Sequence, residues 1–319
     1  MSGPVVVLSG GTGTVKLVKG MDHIGVEDLV VVTNTGDDFD YYGLRISPDT
    51  DAVLYALAGL LDETKMWGVR GDSFVVRDTL RTLDTEDNSV VSWFNLGDVD
   101  LTHCLYRTYL MEEGHTLTEV TKVLAERLAV NPTIIPMSDD WVQTYFHTPD
   151  GVYHLEEYFI RLGASKPIVQ VEYRGSTTAS VSEVLLDALR TARSIIIGPS
   201  NPISSIAPIL AIPRLRTALE VSDAQKIVVS PLVGTSAISG PANHYLSSLG
   251  YEVSPTGIYD YYSSVADIFL FDKTDEEQYN WLVGRGGEEG KTVRFTNILL
   301  PDLPTQSCFA QWLVKEGYC

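Results

Sequence analysis

Six apolar runs along the chain stop abruptly in small or polar residues: VVVLSGGTGT, LVVVTNTGDD, TIIPMSDD, SIIIGPSNP, KIVVSPLVGTS and DIFLFDKTD. Runs of Val and Ile without alternation suit strands covered on both faces, as in a parallel sheet between helices. Stretches with helical spacing lie between them, at Thr50 to Leu61, Leu117 to Ala129, Val181 to Arg193 and Ile206 to Glu220. This alternation predicts an α/β fold, Rossmann-like and doubly wound, with a mainly parallel sheet and helices on both faces. Ligands of such folds bind beyond the carboxyl ends of the strands, and here the polar clusters all follow strands. From Gly151 to Thr178 the pattern alternates more and holds several aromatics. It predicts antiparallel strands in an elaborated middle subdomain at about 140–180. The chain therefore reads as a single domain over 1–319, with a nucleotide-binding core at about 1–135 and 190–275.

Composition narrows the chemistry. Of 319 residues, 44% are hydrophobic and 20% charged, as in an ordinary folded globular protein. The formal charge of −19 argues against a nucleic-acid partner or an anionic membrane surface. A phosphate ester would therefore need local amides and a divalent cation. Cys104, Cys308 and Cys319 lie far apart, without metal-ligand spacing, which fits a reducing compartment. No apolar run approaches the roughly 18–20 residues that span a bilayer. No basic region precedes the first strand, as a signal peptide would require, so a cytoplasmic location is expected.

In SGGTGT, Gly10, Gly11 and Gly13 permit positive φ and close backbone approach, so amides can face an anion at the start of a helix. Thr12 and Thr14 add hydroxyl donors. The stretch is not a P-loop and lacks the last glycine of a dinucleotide fingerprint, where Lys16 stands. It reads as a phosphate cradle or as a bare strand–helix turn. Five carboxylates follow, Asp37, Asp38, Asp40, Asp49 and Asp51, within fifteen residues. Such hard oxygen ligands suit Mg²⁺ bridged to substrate phosphates, although Asp49 or Asp51 could instead cap the next helix. GPSNPISSI presents Ser200 and Asn201 after one strand, and SPLVGTSAISGPAN presents Ser230, Gly234, Thr235 and Ser236 after another, as neutral donors for a nucleotide. No nucleophile elbow or Cys–His pairing stands out. Positioning and charge neutralisation, the needs of phosphoryl transfer, fit better than covalent catalysis.

Together, SGGTGTVKL, NTGDD, SPDTDAVLYAL, WGVRGDSF, WFNLGDVD, PMSDD, GPSNPISSI, SPLVGTSAISGPA and DIFLFD resemble, in order, the 2-phospho-L-lactate transferase family of the CofD type. The resemblance implies transfer of a phospholactyl or phosphoenolpyruvyl group from a guanosine diphosphate-linked donor. The acceptor would be the ribityl hydroxyl of Fo, 7,8-didemethyl-8-hydroxy-5-deazariboflavin, giving coenzyme F-420-0 or its dehydro form and GMP. It further implies Mg²⁺, a homodimer, Asp51 and Asn95 at Fo, and Asp37, Asp38 and Asp51 at the metal. Gly10 to Thr14, Ser200, Asn201, Ser230 and Gly234 would hold the nucleotide and its phosphates. Two departures stand out: Asn95 replaces the family's basic residue, and Thr102 and His103 fall one place early, with Cys104 where His is expected. A rival, related group resembles non-enzymatic nucleotide-sugar-binding regulators; WGVRGDSF, WFNLGD and SPDTD are what favour the transferases.

Overall fold

The computed structural model describes residues 3–87 and 89–319. Strand β1 (Val5–Ser9) runs directly into helix α1 (Gly11–His23) and returns in β2 (Leu29–Thr33). A short hairpin, β3 (Phe39–Tyr41) and β4 (Leu44–Ile46), then leads into α2 (Pro48–Leu57). Helices α3 (Val75–Leu83), α4 (Val90–Trp93), α5 (Asp98–Glu112) and α6 (Leu117–Arg127) precede β5 (Thr133–Pro136). The middle is an antiparallel sheet of β6 (Gln143–Thr148), β7 (Gly151–His154) and β8 (Gln170–Arg174), in the order β7-β6-β8. After α7 (Glu183–Thr191) come β9 (Ser194–Ile197) and β10 (Gln225–Val229), then a minimal hairpin, β11 (Leu232–Val233) and β12 (Ser236–Ala237). Strands β13 (Ile268–Asp272) and β14 (Thr292–Thr296) and a C-terminal helix, Leu303–Lys315, follow.

Seven strands form one parallel sheet in the order β14-β13-β10-β9-β1-β2-β5. Val6, Leu8, Val30 and Val32 feed the core on one face, whereas Val5, Val7, Leu29 and Val31 feed the core on the other. Burial on both faces explains the unbroken apolar runs. From β1 the chain winds outward to β2 and β5; from β9 it winds the other way. The switch point therefore lies between β1 and β9, where the two following loops diverge.

Two expectations need correction. The helix expected over Ile206 to Glu220 is broken into a π-helical turn (Pro202–Ile206), a short helix (Ala207–Leu210) and a second helix (Pro213–Val221). Pro213 has no N–H to continue a helix and instead opens a new one at its first position. The sheet also extends past residue 275. Strand β14 pairs with β13 from Ile268↔Thr292 to Asp272↔Thr296, and its mixed sequence TVRFT belongs to an edge rather than a centre. Among the described residues no helix is long and apolar enough to cross a membrane.

Candidate active site

The glycine loop lies at the switch point. Because β1 passes into α1 within two residues, Gly11 to Thr14 form the first turn of α1, at its electropositive end. Gly11 has φ +63°, a left-handed value that favours glycine. A Cβ on Gly13 would overlap the carbonyl oxygen of Pro199, so no side chain fits between this loop and the one after β9. Thr14 completes the joint. Its N–H donates to Ser200 Oγ at 3.2 Å, and the two hydroxyls lie 2.6 Å apart. Gly10 is packed against Ser205, and Thr12 Oγ1 donates to Ser239 Oγ at 3.1 Å.

The later loops are engaged more internally than their sequence suggests. Asn201 Oδ1 accepts from the N–H groups of Ile203 (3.0 Å) and Ser204 (3.3 Å), capping the π-helical turn, while its buried Nδ2 has no hydrogen-bond partner. Ser230 corrects its expected role as an outward donor. It is fully buried, and its hydroxyl both donates to Leu232 O and accepts from Leu232 N–H, each at 3.0 Å. The Gly234 N–H donates to both carboxylate oxygens of Asp275, at 2.8 and 3.0 Å. Thr235 and Ser236 are exposed.

Helix α2 brings the aspartates to the same end of the sheet. Neither Asp49 nor Asp51 is its N-cap; Ser47 holds that place without a side-chain bond to the helix, and both aspartates sit in the first turn, where the helix dipole favours them. Asp49 reaches the glycine loop, accepting from Gly11 N–H at 2.5 Å and from Asn34 Nδ2 at 2.8 Å. Its own N–H donates to Asp37 Oδ2 at 3.1 Å. Asp38 Oδ2 accepts from Arg45 Nε (2.8 Å) and Ser47 Oγ (2.7 Å), with Arg45 Nη2 at 2.7 Å, and Arg45 stacks on the Trp141 ring at 3.5 Å. Asp51 is paired with the buried guanidinium of Arg107 on α5. Asp40 stands apart and accepts from Gly43 N–H in the hairpin turn.

Burial and mutual repulsion raise these acids. Burial, then the charges of Asp49, Asp38 and Glu156, drive Asp37 well above the usual carboxylate range. Burial lifts Asp49 to about 6, against the opposing hydrogen bonds from Asn34 and Gly11. Burial, with the Asp49 charge, lifts Glu156 to about 8. Burial also raises Asp38, although Arg45 pulls against it. A crowded set of carboxylates is what a hard cation would relieve. Asp37 Oδ1 and Asp38 Oδ1 are buried without hydrogen-bond partners. Among the described residues no three acidic, His or Cys side chains make a complete ion site. The residues thus fit Mg²⁺ of the kind held by one or two carboxylates plus substrate oxygens.

Asn95 Oδ1 accepts from Arg77 Nη1 at 2.9 Å and Arg81 Nη2 at 3.4 Å. Helix α3 thus brings two guanidinium groups to the position that lacks a cation of its own. His103 Nδ1 lies 3.1 Å from the Tyr55 hydroxyl, and burial lowers its pKa. Asp100, buried beside Asp51, is pushed up to about 7 by burial and then by the Asp51 charge, against a hydrogen bond from Tyr55. Sequence reasoning missed Arg107, Arg45, Asp100 and Glu156 as members of this site. The spacing from His103 and Cys104 to Arg107, one helical turn, was the available signal for Arg107; nothing local marks Glu156.

A family profile described as 2-phospho-L-lactate transferase CofD matches residues 5–292. The 2-phospho-L-lactate transferase of Methanosarcina acetivorans is 38% identical, over 85% of this chain and 86% of its own length. That of Methanospirillum hungatei is 38% identical over 86% and 90%, and that of Methanococcoides burtonii 35% identical over 98% of both. A crystal structure of a member of the upf0052 family from Bacillus halodurans matches with a TM-score of 0.62, covering 98% of this chain and 99% of that one. At 18% identity it shares the fold. The profile and the relatives agree with the ordered motifs: the chain belongs to the 2-phospho-L-lactate transferase CofD family of enzymes.

Proposed function

We propose that the protein transfers a phospholactyl or phosphoenolpyruvyl group from a guanosine diphosphate-linked donor to the ribityl hydroxyl of Fo. The observation that carries this reading is the junction of the two halves of the site: Asp49 bonds to the glycine loop, and Asp51, two residues on, faces Arg107. A group held at the loop and a hydroxyl at Asp51 therefore meet within one helical turn. The hydroxyl oxygen bonds to the phosphorus bearing the three-carbon acid, the bond from that phosphorus to the bridging oxygen breaks, and GMP leaves with the electron pair. Asp51 orients the hydroxyl and takes its proton. Gly10 to Thr14, with Ser200 and Asn201, flank the diphosphate, and the loop bearing Ser230 and Gly234 closes over it through Ser239 and Thr12. Asn95, backed by Arg77 and Arg81, contacts Fo.

Asp37 and Asp38 are the residues that would hold Mg²⁺, which neutralises phosphate charge when bound. Asp51, expected to share it, is already engaged by Arg107. The exposed Leu105, Tyr106 and Tyr109 of α5 and Val75 and Val76 of α3 support a homodimer. The test is incubation of the purified protein with Fo, Mg²⁺ and enzymatically generated donor, following Fo conversion and GMP release. Conversion is expected, and Asp51→Asn should lower turnover on the order of 10²-fold. No conversion with any donor overturns the reaction; unchanged turnover in Asp51→Asn overturns the role of that residue.

A further inference from the structure

Arg107 is fully buried, an expensive place for a charge, and its surroundings explain what it does there. One arm of its fork, Nη2, pairs with Asp51 Oδ1. The other, Nη1, donates to the carbonyl oxygen of Arg45 at 3.2 Å and lies 3.7 Å from Cys104 Sγ, one turn earlier on α5. The guanidinium thus grips the middle of β4 by its backbone and the first turn of α2 by its carboxylate. The side chain of Arg45 holds Asp38 from the same strand. The Asp51–Arg107 pair is unevenly placed: the Asp51 side chain keeps 10% of its surface exposed, while that of Arg107 has none. The acid faces outward and the cation stands behind it.

We infer that Arg107 is the positioning residue for Asp51, an inference that rests on the proposed role of Asp51. It fixes one carboxylate oxygen and leaves the other to meet the acceptor hydroxyl. A planar fork serves two acceptors at a set angle, which a lysine ammonium on a flexible stem does not. A buried ion pair contributes little net stability, since apolar residues of similar volume often replace such pairs at no cost. Holding a reacting group in an attack geometry, by contrast, is worth large factors in rate.

The test is a double-mutant cycle on kcat, with KM for Fo and for the donor measured alongside, using Arg107→Lys and Arg107→Met in wild type and in Asp51→Asn. Arg107→Lys keeps the charge and so protects the fold; thermal unfolding of each variant reports on folding separately. Arg107→Lys should lower kcat about 10-fold and Arg107→Met about 100-fold, with both KM values within about threefold of wild type. In the Asp51→Asn background either substitution should cost less than about threefold more, because the group being aimed is already gone. Equal losses in both backgrounds, or unchanged kcat in Arg107→Lys and Arg107→Met, overturn the inference while leaving Asp51 in its role. Full turnover in Asp51→Asn itself removes Asp51, and Arg107 falls with it.

Discussion

The two halves of the site are held together by opposite means. At the glycine loop, backbone meets backbone: Gly13 lies against the Pro199 carbonyl, and neutral hydroxyls of Thr14 and Ser200 close the joint. At the aspartate half, charges are buried in pairs, Asp38 with Arg45 and Asp51 with Arg107. The contrast fits what the proposed reaction asks of each half. On the proposed reading the loop that receives a phosphate is built from amides and hydroxyls, and the anion that touches it, Asp49, comes from α2. On the same proposed reading the half that handles a proton needs carboxylates, and each must then be aimed and neutralised.

Breaking one partner of a buried pair should therefore hurt most. Asp38→Ala strands the Arg45 guanidinium and should cost about 3–5 kcal/mol in urea unfolding. An apolar replacement of both Asp38 and Arg45 should cost clearly less; equal losses would mean that packing, not pairing, holds this half. Next, Gly13→Ala forces a methyl group onto the Pro199 carbonyl and should cost about 1–3 kcal/mol by the same measurement. Gly25→Ala, where a Cβ meets nothing within 4 Å but φ is +73°, serves as the control for backbone strain alone.

A further effect concerns pH. Asp100 is held at about 7, above its unfolded value, so its folded form retains its proton more tightly. Its contribution to stability is then present below about pH 4 and is lost as pH rises through about 7. Asp100→Asn should match wild type near pH 4 and exceed it by up to about 4 kcal/mol at pH 8. Urea unfolding at pH 4, 6 and 8 measures the difference, and a constant gap across the series would show that the aspartate half does not carry this strain.

The same contrast explains what could be read in the amino-acid sequence. Glycines at a strand–helix turn announce themselves, although only Gly11 answers to local geometry while Gly10 and Gly13 answer to Ser205 and Pro199; the parallel strands announced themselves through unbroken Val and Ile. The pairing of charges was not legible. Asp51 meets an arginine fifty-six positions away, and Glu156 reaches the acidic cluster from the inserted subdomain. Such contacts depend on tertiary packing, which no local pattern records. Ser230 shows the converse failure: a polar residue after a strand looks available, yet the turn consumed its hydroxyl. Pro213 was visible in the sequence, and its missing N–H should have split the predicted helix.

The C-terminal helix has a consequence for how the molecule is made. Its residues Phe309, Ala310 and Leu313 share a core with Leu17, Val18 and Met21 of α1, the helix that carries the glycine loop. During synthesis, which proceeds from the N-terminus, α1 leaves the ribosome well before residues 303–315, and one flank of it stays uncovered until they emerge. The glycine turn is thus translated well before the helix that locks it.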